Sequence, residues 1–259
     1  MRANLRLFLL TILIVGVIMG INLTGSISAS EDKISIYIAG DSTACDYEAA
    51  RAPRAGWGQV LGQFFTEQVI IKNEAISGRS SMSFINEGAL GKILSQIKPG
   101  DYLFIQFGHN DEKKEDPIRY TEASTTFKTY LTQYIRGARD KKAFPILLTP
   151  INRYKFDGNG KLMPTHDDYP KAMLNLAASE QAPVIDLTEQ TRILMERLGP
   201  EKSNLLFMNL KPGEFLNYPS GSQDNTHLRN EGALEVARLV VAGIRQAKLP
   251  LEKYIKPEI

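Results

Sequence analysis

Five short hydrophobic runs recur along the chain, each with the length and the β-branched or aromatic content of a buried strand. In the first run isoleucine alternates with polar or small residues until the chain reaches Gly40, a pattern typical of a strand that enters a turn. The runs span residues 33–39, 68–72, 101–107, 144–148 and 183–187. We therefore predict five strands.

Segments with the residue spacing of amphipathic helices lie between and after these runs. Apolar residues recur three and four positions apart in two segments: Phe127, Leu131, Tyr134 and Ala138, then Leu234, Ala237, Val241 and Ile244. Asn230 is the predicted N-cap of the last helix, with Glu231 in its first turn to complement the helix dipole. Alternation of strands and helices predicts an α/β fold with a mostly parallel sheet covered on both faces.

Four long irregular segments are rich in Asp, Asn, Gly and Pro and follow predicted strands or helices. They span residues 43–56, 110–120, 152–168 and 208–229. Ligands of open parallel sheets bind beyond the carboxyl ends of the strands, where such loops gather. The sequence between them has no repeat or linker, so residues 31–259 are predicted to form a single domain.

The first thirty residues differ from the rest. Arg2 and Arg6 precede an apolar run over residues 7–21, and small residues follow at 25–30. This order is typical of a secretory signal peptide, and it predicts a secreted or periplasmic protein. An uncleaved anchor is the alternative, although the run is shorter than the roughly 17 residues that span a bilayer.

Charge and cysteine content narrow the possible partners. The formal net charge is +2, from 31 basic and 29 acidic residues, and removal of Arg2 and Arg6 with the leader makes it zero. No basic cluster indicates binding to nucleic acid, and no membrane association is expected after cleavage. Cys45 is the only cysteine, so no internal disulfide can form. Oligomeric state stays open.

Three residues suggest acyl transfer at a serine, which needs a nucleophile, a base and a group that orients the base. Ser42 follows the first predicted strand in a Gly-Asp-Ser-Thr segment, where Gly40 permits the unusual backbone angles of a sharp turn. Of three histidines, only His227 has a carboxylate placed to orient its ring from the same loop, that of Asp224. The alternatives are a strand-ending turn at Ser42 and a capping role for Asp224 and His227.

Two further segments offer donors for an oxyanion hole. Gly78 follows the second predicted strand and can present its backbone N–H to a ligand. Asn110 follows the third, where its side-chain amide can donate. With the backbone N–H of Ser42, these are candidate donors at three consecutive strand ends.

In this order the segments resemble the conserved blocks of the SGNH (GDSL-type) hydrolases: a Ser block, a Gly block, a Gly-x-Asn-Asp block and an Asp-x-x-His block. They run from residue 40 to residue 227. The resemblance implies a three-layer α/β/α flavodoxin-like fold with a central parallel sheet. It also implies Ser42, Asp224 and His227 as the catalytic residues, and Ser42, Gly78 and Asn110 as the oxyanion hole, without metal or cofactor.

The match narrows to the rhamnogalacturonan acetylesterase branch of carbohydrate esterases. Residues 40–44 (Gly-Asp-Ser-Thr-Ala), 56–59 (Gly-Trp-Gly-Gln), 78–81 (Gly-Arg-Ser-Ser) and 106–111 (Gln-Phe-Gly-His-Asn-Asp) are similar to that branch. The resemblance implies removal of acetyl groups from a pectic polysaccharide or oligosaccharide. Met82 departs from the pattern, because a basic or polar residue is expected there, and this leaves sugar specificity open.

Three residues are candidates for substrate binding, each with a structural alternative. Arg79 could hold a substrate carboxylate in bidentate fashion or shape its own loop. Trp57 could stack on a sugar or pack in the core. His109 could line the pocket or support the loop of Ser42. Other acyl substrates remain alternatives (a bacterial exopolysaccharide, a lipid or a thioester), as does a sugar-binding module without catalysis.

Overall fold

A five-stranded parallel sheet lies at the centre of the part of the chain described by the computed structural model, residues 33–257. The predicted leader lies outside these residues. The strands are β1 (Ile34–Gly40), β2 (Val69–Asn73), β3 (Tyr102–Gln106), β4 (Phe144–Leu148) and β5 (Val184–Ile185). Their order is β2-β1-β3-β4-β5, and every pairing is parallel. The predicted α/β class and five-stranded sheet are confirmed.

Helices cover both faces of the sheet. They are α1 (Trp57–Val60), α2 (Ser81–Asn86), α3 (Ala89–Gln96), α4 (Thr126–Asp140), α5 (Tyr169–Glu180), α6 (Leu187–Asn204) and α7 (Asn230–Gln246). Along β1, Ile36 and Ile38 join the apolar core shared with α1, α6 and α7, whereas Tyr37 and Ala39 join the core shared with α2 to α5. Because successive strand residues point to opposite faces, this central strand contributes to both cores.

Two details of the predicted elements are wrong. The fifth strand has two residues instead of five, because the Asp186 side chain accepts a hydrogen bond from the Glu189 N–H and starts α6 early. Asn230 is the first residue of α7 rather than its N-cap, which is Arg229. Arg229 stays extended, with its N–H bonded to Leu206 O and that of Asn230 bonded to Pro53 O. Glu231 lies in the first turn, as predicted.

Strand order reverses beside β1, because β2 lies on one side of it and β3 on the other. In such sheets the crevice beyond the carboxyl ends of the strands at this reversal is the usual ligand site. The segments after β1, β2 and β3 carry the predicted site residues. Within residues 33–257, no helix combines the length and apolar character needed to cross a bilayer.

Candidate active site

Ser42 lies in a tight turn directly after β1. The carboxylate of Asp41 is buried and accepts hydrogen bonds from the Thr43 N–H and hydroxyl, both at 2.8 Å. The prediction that Gly40 is needed for unusual backbone angles is wrong, because its φ is not positive. An added Cβ would instead lie 3.2 Å from Gln106 O and 3.3 Å from the Ala44 Cβ. Close packing below the turn therefore favours glycine here.

Ser42, His227 and Asp224 form a continuous chain of polar contacts. The Ser42 Oγ lies 2.9 Å from Nε2 of His227, and Nδ1 of the same ring lies 2.7 Å from Oδ2 of Asp224. With the ring proton on Nδ1, Ser42 donates to His227 and His227 donates to Asp224. The structure thus brings together the three residues predicted for acyl transfer, in the order that a Ser-His-Asp mechanism requires.

The Asp224 carboxylate is held from several sides. Its Oδ1 accepts from the backbone N–H of Thr226 at 3.0 Å and of His227 at 2.9 Å. Partial burial opposes ionisation, but the hydrogen bonds from the His227 ring and backbone outweigh it and lower the pKa of Asp224 well below its ordinary value. The carboxylate is therefore charged wherever His227 could act as a base.

Arg54 also contacts this carboxylate, and sequence analysis missed it. Its Nη2 donates to Oδ2 of Asp224 at 2.8 Å, the same oxygen that His227 contacts. The guanidinium also lies over the Tyr47 ring, 5.6 Å from its centroid, and the Tyr47 hydroxyl donates to Ser42 O at 2.7 Å. Arg54 therefore connects the segment that carries the serine to the segment that carries the histidine.

The predicted oxyanion donors line the same cleft as the serine. The cleft has a volume of about 390 Å³, and ten residues line it: Ser42, Ser77, Gly78, His109, Asn110, Lys113, Arg153, Asp224, Thr226 and His227. Among residues 33–257, no acceptor binds the backbone N–H of Ser42 or Gly78, so both can donate to a ligand. Gly78 has a φ of +80°, which favours glycine.

The Asn110 amide is held at both ends. Its Nδ2 donates to Arg79 O at 3.0 Å, and its Oδ1 accepts from Nζ of Lys113 at 2.9 Å. The Nη1 of Arg119 lies 3.5 Å from the same Oδ1. Because an amide nitrogen carries two hydrogens, one N–H of Asn110 remains for a ligand. Two cations on Oδ1 fix which end of the amide faces the carbonyl of Arg79.

A buried polar cluster supports the turn of Ser42 from below. His109 lines the cleft at 3% exposure, with Nδ1 3.3 Å from Oδ2 of Asp41. Burial outweighs the effect of Asp41 and lowers the pKa of His109 to about 4, so the ring is neutral at neutral pH. His166 packs edge-on against it at 4.4 Å between ring centroids, and contacts Glu112 at 3.0 Å.

Two of the three candidate substrate contacts have other partners. Trp57 is fully buried, and its indole N–H donates to Oε1 of Gln106 at 2.7 Å. A fully buried ring cannot stack on a sugar, so that hypothesis is wrong and Trp57 belongs to the core. Arg79 donates to Glu87 at 2.8 Å and to Ser77 O at 3.0 Å, which ties it to its own loop. His109 is the one of the three that lines the cleft.

Two basic residues of the cleft have no signal in the sequence. Arg153 follows β4 and contacts Glu112 at 2.5 Å, and it also donates to His109 O at 3.3 Å. Lys113 follows β3 in a run of charged residues that resembles an ordinary solvated loop. Only the folded arrangement of the strand ends shows that both line the cleft.

Comparison with known proteins agrees with this geometry. The model of the GDSL-like Lipase/Acylhydrolase family matches residues 38–233. Rhamnogalacturonan acetylesterase RhgT of Bacillus subtilis is 46% identical over 86% of this chain and 94% of its own length. The probable rhamnogalacturonan acetylesterase YesY of the same organism is 44% identical, over 86% and 98% of the two chains.

Solved structures show the same fold. The crystal structure of YxiM from Bacillus subtilis superimposes with a TM-score of 0.71 at 30% identity. The alignment covers 84% of this chain and 58% of that one, so the present chain spans little more than half of that protein. An acetylxylan esterase from Geobacillus stearothermophilus has a TM-score of 0.58 at 14% identity, over 88% and 99% of the two chains, a likeness of fold alone.

The family model covers most of the chain, and two relatives above 40% identity extend over almost their whole lengths. These matches confirm the resemblance inferred from the sequence blocks. The chain belongs to the GDSL-like lipase/acylhydrolase family, whose members hydrolyse esters.

Proposed function

We propose that this enzyme removes O-acetyl groups from polysaccharide, with pectic rhamnogalacturonan as its substrate. The contact chain from Ser42 through His227 to Asp224 carries the proposal, because it supplies a nucleophile, a base and an orienting carboxylate at one cleft. The similarity to RhgT and YesY supports the choice of polymer. The cleft lining is polar and charged, which suits a sugar better than an acyl chain of a lipid.

In the first half of the proposed reaction, Ser42 Oγ attacks the acetyl carbonyl while Nε2 of His227 takes its proton. Negative charge develops on the carbonyl oxygen, where the N–H groups of Ser42 and Gly78 and the free N–H of Asn110 donate hydrogen bonds. The intermediate then collapses, and His227 returns the proton to the departing sugar oxygen. The products of this step are a free sugar hydroxyl and acetyl-Ser42.

In the second half, water replaces the sugar in the cleft. His227 takes a proton from the water as it attacks acetyl-Ser42, and the same donors stabilise the second oxyanion. Collapse breaks the ester bond to Oγ and returns the proton to Ser42. Acetate leaves, and the charged Asp224 stabilises the imidazolium in both halves.

Release of acetate from a panel of polymers tests the proposal. Acetylated rhamnogalacturonan should be the best substrate, ahead of acetylated xylan, an acetylated bacterial exopolysaccharide and a triacylglycerol, when initial rates are compared at equal ester concentration. Comparable rates on all polymers would contradict the assigned substrate, and preference for the triacylglycerol would contradict the polysaccharide class.

We also propose that the enzyme is exported and acts outside the cytoplasm. The support is the order of residues near the start: two arginines, an apolar run over 7–21 and small residues at 25–30. Intact-mass measurement of protein recovered from the medium or periplasm should show a first residue between about 26 and 31. Recovery of the full-length chain in a membrane fraction would favour the anchor instead.

A further inference from the structure

The arginines around the cleft already have carboxylate partners. Arg54 contacts Asp224 at 2.8 Å, and Arg79 contacts Glu87 at 2.8 Å. Beyond these two, Arg119 contacts Asp116 and Arg153 contacts Glu112, both at 2.5 Å. Each guanidinium therefore uses part of its hydrogen-bonding capacity on a carboxylate of the protein. An anionic substrate would have to compete with a protein carboxylate at each of these arginines.

Lys113 differs from these arginines. It lines the cleft, and no carboxylate of residues 33–257 lies within 4.0 Å of its ammonium group. Its protein contact is the 2.9 Å hydrogen bond to Oδ1 of Asn110, which uses one of the three hydrogens of the ammonium group. The other two donors can reach a ligand.

The surroundings of Lys113 make a bound anion favourable. Burial lowers the pKa of Lys113, and the nearby cations Arg119 and Arg153 lower it further. The carboxylates of Asp41 and Glu115 act in the opposite direction but do not outweigh these effects, so the charged form of Lys113 is disfavoured at this position. A carboxylate at the ammonium group would supply the missing negative charge and a charge-assisted hydrogen bond.

We propose that Lys113 binds a carboxylate of the polysaccharide and makes the enzyme prefer esters on uronate-containing chains. The inference deepens the proposed function and rests on it. Asn110 and Lys113 line the same cleft as Ser42, and the side-chain oxygen of Asn110 accepts from Lys113. A carboxylate at Lys113 therefore belongs to the acetylated sugar or to a sugar next to it. The sequence suggested Arg79 as the residue that holds a substrate carboxylate, and we assign this role to Lys113 instead.

The test compares Lys113→Met with the wild-type enzyme on matched substrates. These are acetylated rhamnogalacturonan oligosaccharides, the same oligosaccharides with their carboxyl groups methyl-esterified, and 4-nitrophenyl acetate. The variant should lose about 10- to 100-fold in kcat/KM on the charged oligosaccharide, mainly through KM, as expected for a hydrogen bond to a charged group. On the two uncharged substrates the loss should be smaller and should fall on kcat, because there the substitution removes only the hydrogen bond to the Asn110 amide.

Two variants serve as controls. Lys113→Arg retains the charge and should keep most of the activity on the charged oligosaccharide. Lys114→Met removes the same charge from the neighbouring exposed residue and should change none of the three rates. A loss that follows net charge alone would appear in Lys114→Met as well and would overturn the proposal.

The remaining outcomes separate this inference from the proposed function. An equal loss of kcat on all three substrates would mean that Lys113 acts through Asn110 or on the acetate product, and would overturn the carboxylate site. An unchanged rate on the charged oligosaccharide would overturn it too. Hydrolysis of 4-nitrophenyl acetate by wild-type enzyme that releases no acetate from either oligosaccharide would instead contradict the proposed polysaccharide substrate.

Discussion

Replacement of Arg54 by methionine should lower the free energy of unfolding, because it removes a cation that holds the Asp224 carboxylate in place. Arg54 and His227 contact the same oxygen of Asp224, at 2.8 and 2.7 Å. Without Arg54, this oxygen loses a charge-assisted hydrogen bond, and the link between the segment of the serine and the segment of the histidine is lost with it.

The size of the effect follows from the geometry. A hydrogen bond to a charged group contributes about 1.5 to 3 kcal/mol to the free energy of unfolding. The side chains of Arg54 and Asp224 are 17% and 21% exposed, so solvent screening favours the lower value.

The assay is chemical denaturation, together with steady-state kinetics on 4-nitrophenyl acetate. Arg54→Met should lose about 1.5 kcal/mol of unfolding free energy and keep its kcat within about tenfold, because Oδ1 of Asp224 retains its two backbone donors. Arg54→Lys should recover part of the lost stability. Arg51→Met removes an exposed arginine nearby and should leave both measurements unchanged. An unchanged free energy of unfolding in Arg54→Met would refute the stabilising role of Arg54.

Three further predictions concern the rest of the site. Asn110→Ala should lower kcat about 100- to 1000-fold with little change in KM, and Asn110→Asp should be worse because a carboxylate would face the oxyanion; steady-state kinetics with circular dichroism check both. Tyr47→Phe removes the hydroxyl bonded to Ser42 O, and chemical denaturation should show a loss of about 1 kcal/mol. Burial lowers the pKa of His109 from an ordinary 6.5 to about 4, so between these pH values the unfolded chain binds a proton that the folded protein does not. The contribution of His109 to stability is therefore complete above pH 6.5 and is lost as the pH falls towards 4. Thermal unfolding of His109→Gln should depend less on pH across that window.

Much of the fold could be predicted from local pattern. The isoleucine-rich first run became β1, and residues 144–148 became β4 with the predicted bounds. Such runs are reliable because a strand buried on both faces needs apolar residues at nearly every position. The prediction of the fifth strand is wrong at its end, because the Asp186 side chain caps α6 and the helix begins where the strand was expected to continue.

In the site, too, local contacts could be predicted from the sequence and long-range contacts could not. Asp224 and His227 lie three positions apart in one loop, so their contact could be expected from the sequence, and the family blocks paired them with Ser42. The Arg54–Asp224 contact spans 170 positions and has no periodicity to reveal it. It depends on long-range pairing of two loops, in which the Ala55 N–H donates to Leu228 O at 3.1 Å.

Some residues have two possible roles that the sequence cannot distinguish, and only their burial in the folded protein decides between them. Trp57 opens a helix in a glycine-rich segment, a position that suits a sugar platform as well as a core residue. Its indole N–H meets Gln106 at the end of β3, and that partner becomes visible only when α1 packs on the sheet. Lys113 shows the reverse case, because an apparently ordinary surface lysine lies in the cleft.

Acetate release by Ser42→Ala tests the central claim most directly. The wild-type enzyme and the variant are compared on acetylated rhamnogalacturonan, with thermal unfolding to establish that both are folded. Only Oγ of Ser42 can form the acetyl-enzyme, so the variant should lose on the order of a thousandfold or more in kcat. Near-full activity in a variant with unchanged unfolding would contradict Ser42 as the nucleophile, and with it the proposed mechanism.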